Sequence, residues 1–332
     1  MTHQLRNADR RRLLQAAIGL PALALARPAM AQAWPNRPIR IIVPLAPGGS
    51  TDVMARILAE RLGAALGQPT VVENRPGASG NIGMEQVARS APDGYTLGVA
   101  NVTQWAVNEY LYERMPYDTQ RDLAYVSMNW ELPNALTVPT AHVPATTARA
   151  FIDWAKAQPN GVAYGTGGVG STSHLLSEFL GRQYGLTLTH VPYRGGSESL
   201  TALLRGDVQF TLDVLTNTLP SIQQGALRAL AVTGSERSPL LPEVPTFAEA
   251  GLTGLSLTSW GGFVAPAGTP TAIQDRIAAA LATIVAMPEV QSRFVALAAR
   301  PISSTPAQMR ERLDRERPTW AELVRASGAR AG

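Results

Sequence analysis

The sequence predicts an α/β fold, with mainly parallel sheets flanked by helices and arranged in two domains. Three observations carry this. The β-branched apolar run Ile39–Val43 ends in a Pro/Gly turn, after which Ser50, Thr51 and Asp52 precede apolar residues at helical spacing, Val53, Ile57, Leu58 and Leu62. The same succession of strand, glycine-rich loop and helix start returns at 162–184 and again at 188–197. The chain has 332 residues, enough for two domains once a leader is set aside.

Residues 1–33 read as an export signal peptide. Arg10, Arg11 and Arg12 form a basic start, Leu13–Ala26 a modest apolar stretch, and Ala31-Gln32-Ala33 a small-x-small cleavage site, so a mature chain is expected from about Trp34. The apolar stretch is well short of the ~20 residues that span a bilayer. Arg10-Arg11-Arg12-Leu13-Leu14-Gln15 is similar to a twin-arginine signal, and Sec export stays open beside it. Of 29 basic and 25 acidic residues, five Arg and one Asp lie in the leader, leaving 24 of each. The formal charge of +4 therefore belongs to the leader, and a neutral mature chain argues against nucleic-acid or membrane-surface binding. The absence of cysteine excludes disulfides, thiolate catalysis and cysteine metal sites.

The remaining elements follow in order. Thr70–Glu73 is a short strand, the glycine-rich loop Asn74–Asn81 feeds a helix over 82–89, and Asp93-Gly94 turns the chain into the buried strand Tyr95–Ala100. Residues 105–125 read as helical and then irregular. Tyr125–Met128 and Ala135–Val138 read as strands, and Phe151–Ala157 as a helix. Val162–Tyr164, Leu188–Val191, Val208–Asp213 and Leu227–Val232 are strands, the first leading through Gly165–Gly170 and Ser171–Ser173 into a helix over 174–184. Ser259–Val264 reads as a crossing strand with flexible glycines. The end of the chain is helical over 271–286, 289–298 and 306–327.

In such a sheet, ligands sit beyond the carboxyl ends of the strands. The first loop, Pro47, Gly48, Gly49, Ser50 and Thr51, presents backbone N–H groups at the positive end of a helix and forms a ready anion site. The alternative is a capped turn with no ligand. Asn101 and Thr103 are candidates from their place at a strand end, and so is Asp213. Enzyme chemistry finds little support. His142, His174 and His190 lack metal-ligand spacing, and no Gly-x-Ser-x-Gly elbow, P-loop or dinucleotide motif is present. Ser171 or Ser173 beside His174 suggests a nucleophile and base, but residues one or two apart on a helix do not face each other, which favours capping. Three helix N-termini in two domains suit capture of a small carboxylate without reaction.

Ten collinear blocks across 34–330 then carry a family resemblance, among them Ala46-Pro47-Gly48-Gly49-Ser50-Thr51-Asp52, Val72-Glu73-Asn74-Arg75-Pro76-Gly77, Pro92-Asp93-Gly94-Tyr95-Thr96-Leu97 and His190-Val191-Pro192-Tyr193-Arg194-Gly195. The chain resembles the periplasmic solute-binding receptors of the tripartite tricarboxylate transporter family, the Bug-type receptors. The resemblance implies a two-domain periplasmic binding protein of type 2, with 34–128 and 261–332 as one domain, 129–260 as the other, and crossings near Met128-Asn129-Trp130 and Trp260-Gly261-Gly262. It implies a carboxylate ligand held in the cleft by Pro47–Thr51, by Gly168, Gly170, Ser171, Thr172 and Ser173, and by Tyr193, Arg194 and Gly195, with Asp213 at the cleft. The implied protein is a periplasmic monomer without cofactor or metal that binds a small organic acid, a di- or tricarboxylate, amino acid or aromatic carboxylate, and hands it to membrane permease subunits. An exported hydrolase on a similar frame and a soluble carboxylate sensor are the competing readings. Competing roles also stay open for single residues: a cap for Asp52, a surface pair for Arg194, core packing for Tyr193, and for Asp213 either an ammonium partner or an acceptor of backbone N–H groups. The chain departs from the family pattern at Leu212-Asp213-Val214 and Gly196-Ser197-Glu198, both positioned to touch the pocket.

Overall fold

In the computed structural model, which describes residues 34–331, the strand Ile39–Val43 (β1) lies inside a six-stranded sheet, one strand from its edge. Its side chains are almost wholly buried, as the unbroken β-branched run requires of a strand covered on both faces. The signal-peptide reading falls on residues outside those described. Arg37–Gly332 form one compact unit.

The first lobe runs β1, helix α1 (Ser50–Leu66), β2 (Thr70–Asn74), α2 (Asn81–Ala88) and β3 (Thr96–Asn101). A π-helical turn at Thr103–Val107 and the short helix α3 (Asn108–Leu111) follow, then β4 (Leu123–Leu132). The second lobe holds β5 (Asn134–Pro139), α4 (Ala148–Lys156), β6 (Val162–Thr166), α5 (Thr172–Tyr184), β7 (Leu188–Pro192), α6 (Gly196–Arg205), β8 (Thr211–Val214), α7 (Leu215–Gln223) and β9 (Leu227–Val232). The chain returns to the first lobe with β10 (Ser259–Pro266), α8 (Thr271–Val285), α9 (Pro288–Ala296), β11 (Arg300–Pro301) and α10 (Pro306–Ser327).

Strand order in the first lobe is β11-β4-β10-β3-β1-β2. Only β2, β1 and β3 run parallel; β10 runs against both β3 and β4, and β11 against β4. In the second lobe β8-β5-β9 is antiparallel and β6-β7 parallel. The sheets are therefore more mixed than the βα alternation predicts. The cause is the crossing: β4 carries the chain out of the first lobe and β10 brings it back, so the two must oppose each other.

Met128–Trp130 and Trp260–Gly262 lie inside the sheet, because β10 pairs with β4 from Ser259 opposite Leu132 to Pro266 opposite Leu123. Pairing in this sheet ends at Leu132 and resumes at Ser259. Gly261 and Gly262 serve close packing: a Cβ at Gly262 would overlap the Ser127 carbonyl, and one at Gly261 the Trp130 ring, where the β4–β10 register shifts. Trp260 packs on Trp105, ring centroids 5.5 Å apart, and donates its indole N–H to Glu316 at 2.8 Å.

Two main cores result. Trp105, Tyr125, Trp260 and Trp320 anchor one, Phe151, Tyr164, Phe210 and Phe247 the other. Helix α7 and the two-residue strand β11 are not expected from the sequence, and β8 starts at Thr211, later than expected.

Candidate functional site

The first turn of α1 supplies open backbone donors. Its N-cap is Gly49, at φ −73° and ψ 164°, with no side chain closing the end. The first backbone bond of the turn runs from Val53 N–H to the Gly49 carbonyl at 3.0 Å, so the amides of Ser50, Thr51 and Asp52 have no helical acceptor. Asp52, the third residue of the helix, is buried and fully engaged. It accepts from the Gly48 amide at 2.9 Å, from Asn74 Nδ2 at 2.8 Å and from Arg56 Nε at 3.0 Å. Burial alone would raise its pKa, but the bonds from Arg56, Gly48 and Asn74 outweigh it and hold the carboxyl below its usual range. Asp52 is thus a structural clamp on the loop.

The end of β3 aims the next donor. Asn101 Nδ2 donates to Thr51 Oγ1 at 3.2 Å, and Asn101 Oδ1 accepts from the Thr103 amide at 2.9 Å. Since the Thr51 oxygen is already accepting, its proton is left to donate elsewhere. Gln104 completes the corner, accepting from the Asn101 amide and donating to the Ser79 carbonyl at 2.8 Å. The π-helical turn at Thr103–Val107 places Thr103 and Gln104 there; such turns recur at functional sites.

Across the cleft stands the start of α5, capped by Ser171. Ser171 Oγ donates to the Gly168 carbonyl at 2.7 Å, accepts from the His174 amide, and shares a bond with Ser173 Oγ at 2.9 Å. These hydroxyls are occupied as caps, and neither bonds the His174 ring, whose Nδ1 accepts from the Gly170 amide at 3.2 Å. The nucleophile–base pairing is therefore not formed. Thr172 Oγ1 accepts from Asn134 Nδ2 at 3.4 Å, which leaves its proton free as in Thr51.

These groups enclose a cavity of about 290 Å³ between the lobes. Pro47, Gly49, Ser50, Thr51, Asn101 and Thr103 wall it from the first lobe. Gly168, Ser171, Thr172, Ser173, Arg194, Gly195 and Asp213 wall it from the second. Three expected residues stay off the wall. Gly48 turns its amide to Asp52, Gly170 packs on Leu111, and Tyr193 joins the cluster of Ala202 and Leu203 under α6. Ser79, Gln104, Asn217 and Ser259 line the cavity without having been singled out from sequence. Gln104 was findable, three residues beyond Asn101; Asn217 was hidden with its helix.

The charge on the wall is sparse. Arg194 is its one cation among the described residues, exposed, with a guanidinium that makes no hydrogen bond or ion pair there. Asp213 is its one carboxylate, 8 % exposed, and burial raises its pKa against the opposing bonds from Asn217 Nδ2 at 2.9 Å and the Val214 amide at 2.8 Å. No cation faces it. A larger cavity of about 530 Å³ lies behind the crossing strands, but its Arg300 and Arg312 are already bound to Glu131, and Arg312 also to Glu316. Arg315, exposed and unpaired, also lines that larger cavity, but only the smaller one lies at the start of α1 and α5.

A family model described as "Tripartite tricarboxylate transporter family receptor" matches residues 54–328. The chain belongs to this receptor family. The family is one of solute-binding receptors and not of enzymes. The receptor is 38 % identical over 320 residues to protein BugT of Bordetella pertussis, covering 96 % of this chain and 98 % of that one. Among solved structures it superposes on "R. palustris Rpa4515 with adipate" with a TM-score of 0.83 at 34 % identity, covering 89 % of this chain and 98 % of the other. It also superposes on MatC from Rhodopseudomonas palustris "with bound malate", TM-score 0.80 at 30 % identity, covering 88 % and 100 %. The two-domain α/β fold of a periplasmic binding protein is shared with these neighbours.

Proposed function

We propose that this receptor captures a small organic carboxylate in the cleft between its lobes and delivers it to the permease subunits of a tripartite tricarboxylate-type transporter in the periplasm. One observation carries the reading: the unsatisfied amides at the start of α1 and the free Thr51 proton face the α5 start across a cavity with a single unpaired guanidinium, Arg194. Helix N-termini with open N–H groups favour anions, and a cavity of about 290 Å³ sits at the small end of the ligand-pocket range, roughly 300–1,000 Å³. The adipate and malate of the two relatives belong to the same chemical class.

The lobes divide at Pro133 and just before Ser259, slightly inside the boundaries read from sequence, and close about these two strands on the ligand. A ligand that touches both lobes favours the closed state by its differential contacts. The mature chain acts as a monomer and begins at about Trp34 after export.

Native mass spectrometry of protein purified without denaturation identifies the retained ligand, and calorimetric titration with adipate, malate, citrate, glutamate and nicotinate measures its class. Binding of at least one carboxylate, with a smaller radius of gyration in solution scattering, is the expected result. Failure of every acid to bind, with no ligand retained, overturns the reading.

A further inference from the structure

His174, buried, and His190, half-buried, are titratable groups that the carboxylate site itself does not use. Their rings stack with centroids 4.0 Å apart, and Tyr164 stacks on His190 at 5.0 Å. Each ring holds one point of the glycine loop between β6 and α5. His174 Nδ1 accepts the Gly170 amide at 3.2 Å. His190 Nε2 shares a 2.7 Å bond with Thr166 Oγ1, and that oxygen accepts from the Gly168 amide at 3.2 Å. Gly168 lines the ligand cavity, while Gly170, at φ +78°, packs so tightly on Leu111 of the first lobe that a Cβ would overlap it. The histidine pair therefore sits behind the loop that forms the second-lobe wall and touches the opposite lobe.

A neutral imidazole has one basic nitrogen. In His174 that nitrogen is the Nδ1 that accepts from Gly170, so a proton can be bound only by giving up the Gly170 amide. We propose that His174, supported by His190, is a positioning residue for the second-lobe glycine loop, and that its protonation releases Gly170 and weakens carboxylate binding in acid. The weakening of binding rests on the carboxylate reading above; the release of Gly170 does not.

The surroundings favour the neutral pair. Burial pushes His174 down to about 4 from its ordinary 6.5. Burial and then the His174 ring push His190 to about 4, with Glu178 opposing. Glu178, on α5 itself, accepts from Tyr164 Oη of β6 at 2.5 Å. Phe210 stacks on Tyr164, and Leu111 meets Gly170, both apolar. Helix α10 packs along α5, but none of its charged groups acts on either ring.

The test uses the full mature chain with two variants. His174→Asn offers Oδ1 in place of Nδ1 and does not titrate; His174→Phe keeps a ring and offers no acceptor. In ligand-free protein, the Gly170 amide resonance of the parent should titrate together with the His174 ring between pH 6.5 and 3.5. In His174→Asn it should stay flat, and in His174→Phe it should lose exchange protection at every pH. The Gly185 amide, bonded to Gly181 at the far end of α5, reports global unfolding and should not move. The binding arm uses adipate and malate, taking the ratio of parent to His174→Asn dissociation constants at each pH so that the acid's own titration cancels. With a site near 4, linkage gives a ratio near one at pH 7, about twofold at pH 4 and about fourfold at pH 3.5. A Gly170 amide that ignores the His174 titration overturns the proposal. A titrating Gly170 with a flat ratio overturns the coupling to binding, and a titrating Gly170 in a protein that binds neither acid upholds the positioning role while defeating the carboxylate reading.

Discussion

Asn101 and Thr51 are joined by a 3.2 Å hydrogen bond between residues fifty positions apart, tying the end of β3 to the first turn of α1. The bond determines what Thr51 can offer: its oxygen accepts, so its proton donates. Thr51→Val should therefore remove one hydrogen bond to a charged ligand, worth about 1.5–3 kcal/mol, and weaken carboxylate binding roughly 10- to 100-fold. Thr51→Ser should retain most of the affinity. Calorimetric titration of both variants distinguishes a donor from a mere wall, for which Val and Ser would behave alike.

Ser50→Asp places a fixed negative charge where the ligand carboxylate is expected. An acidic residue in a first turn complements the helix dipole, so melting should shift by no more than about 1 kcal/mol equivalent. Like charges in a dehydrated cleft cost several kcal/mol, and binding should fall at least ~100-fold. A variant that melts like the parent and binds normally would remove 47–51 from the site.

The two glycines of this loop should part company. Gly48 has φ +80°, and its amide holds Asp52, so Gly48→Ala should cost about 1 kcal/mol or more and lower the melting temperature. Gly49 has φ −73°, and a Cβ there would lie 3.7 Å from the Ala46 carbonyl, so Gly49→Ala should leave stability nearly unchanged. Thermal melts of the pair check the difference.

Glu131, buried where β4 ends, gathers Thr258 Oγ1 at 2.7 Å, Arg312 Nη2 at 2.7 Å and Arg300. Burial would raise its pKa, but Thr258, Arg300 and Arg312 together hold it below the ordinary carboxylate value. A carboxylate lowered by folding contributes stability above its unfolded pKa, near 4.3, and loses it as the pH falls through the folded one. Glu131→Ala should thus destabilise by about 1–3 kcal/mol at pH 7, because Thr258 loses its acceptor and Arg312 keeps only Glu316. The gap to the parent should narrow below about pH 4. Urea melts across pH 3.5–7.5 measure it; a constant gap would mean the loss is packing alone.

The neutral histidine pair acts in the same acid range with its own sign. Both rings are held below the unfolded value of about 6.5, so the unfolded chain takes up protons first and stability declines as pH falls from 6.5 toward 4. In His174→Asn the decline over that window should be shallower than in the parent.

Much of this was legible because local signals and tertiary demands agree. The apolar run Ile39–Val43, the capping residue Ser171 and the capping box Thr305–Gln308 at the start of α10 each specify an element from within a few residues. Signals that depend on partners were misread. Gly261-Gly262 looks like a flexible hinge in sequence, yet the pair is glycine because β4 runs so close beside it. Pro220 argues against a helix, yet Leu215 and Leu219, buried on one side of α7, hold it in place. Asn217 went unnoticed with that helix, although it is the residue that engages Asp213. Ser50 and Thr51 read as caps, whereas Gly49 takes the cap position and leaves their amides open.

The place of β10 in the first sheet has a consequence for how the chain is made. It lies between β3 and β4, and it is the strand that fills the gap between them. During synthesis those two strands emerge with their facing edges bare, and the strand that joins them arrives more than 120 residues later, after the whole second lobe. The second lobe, contiguous from β5 to β9, can complete its own pairings first; the first lobe must wait with two open edges, the kind of surface that templates aggregation. Non-local closure of this sort is slow. A ribosome-bound or truncated chain ending before Ser259 should therefore protect the β5–β9 amides from exchange while those of β3 and β4 remain open.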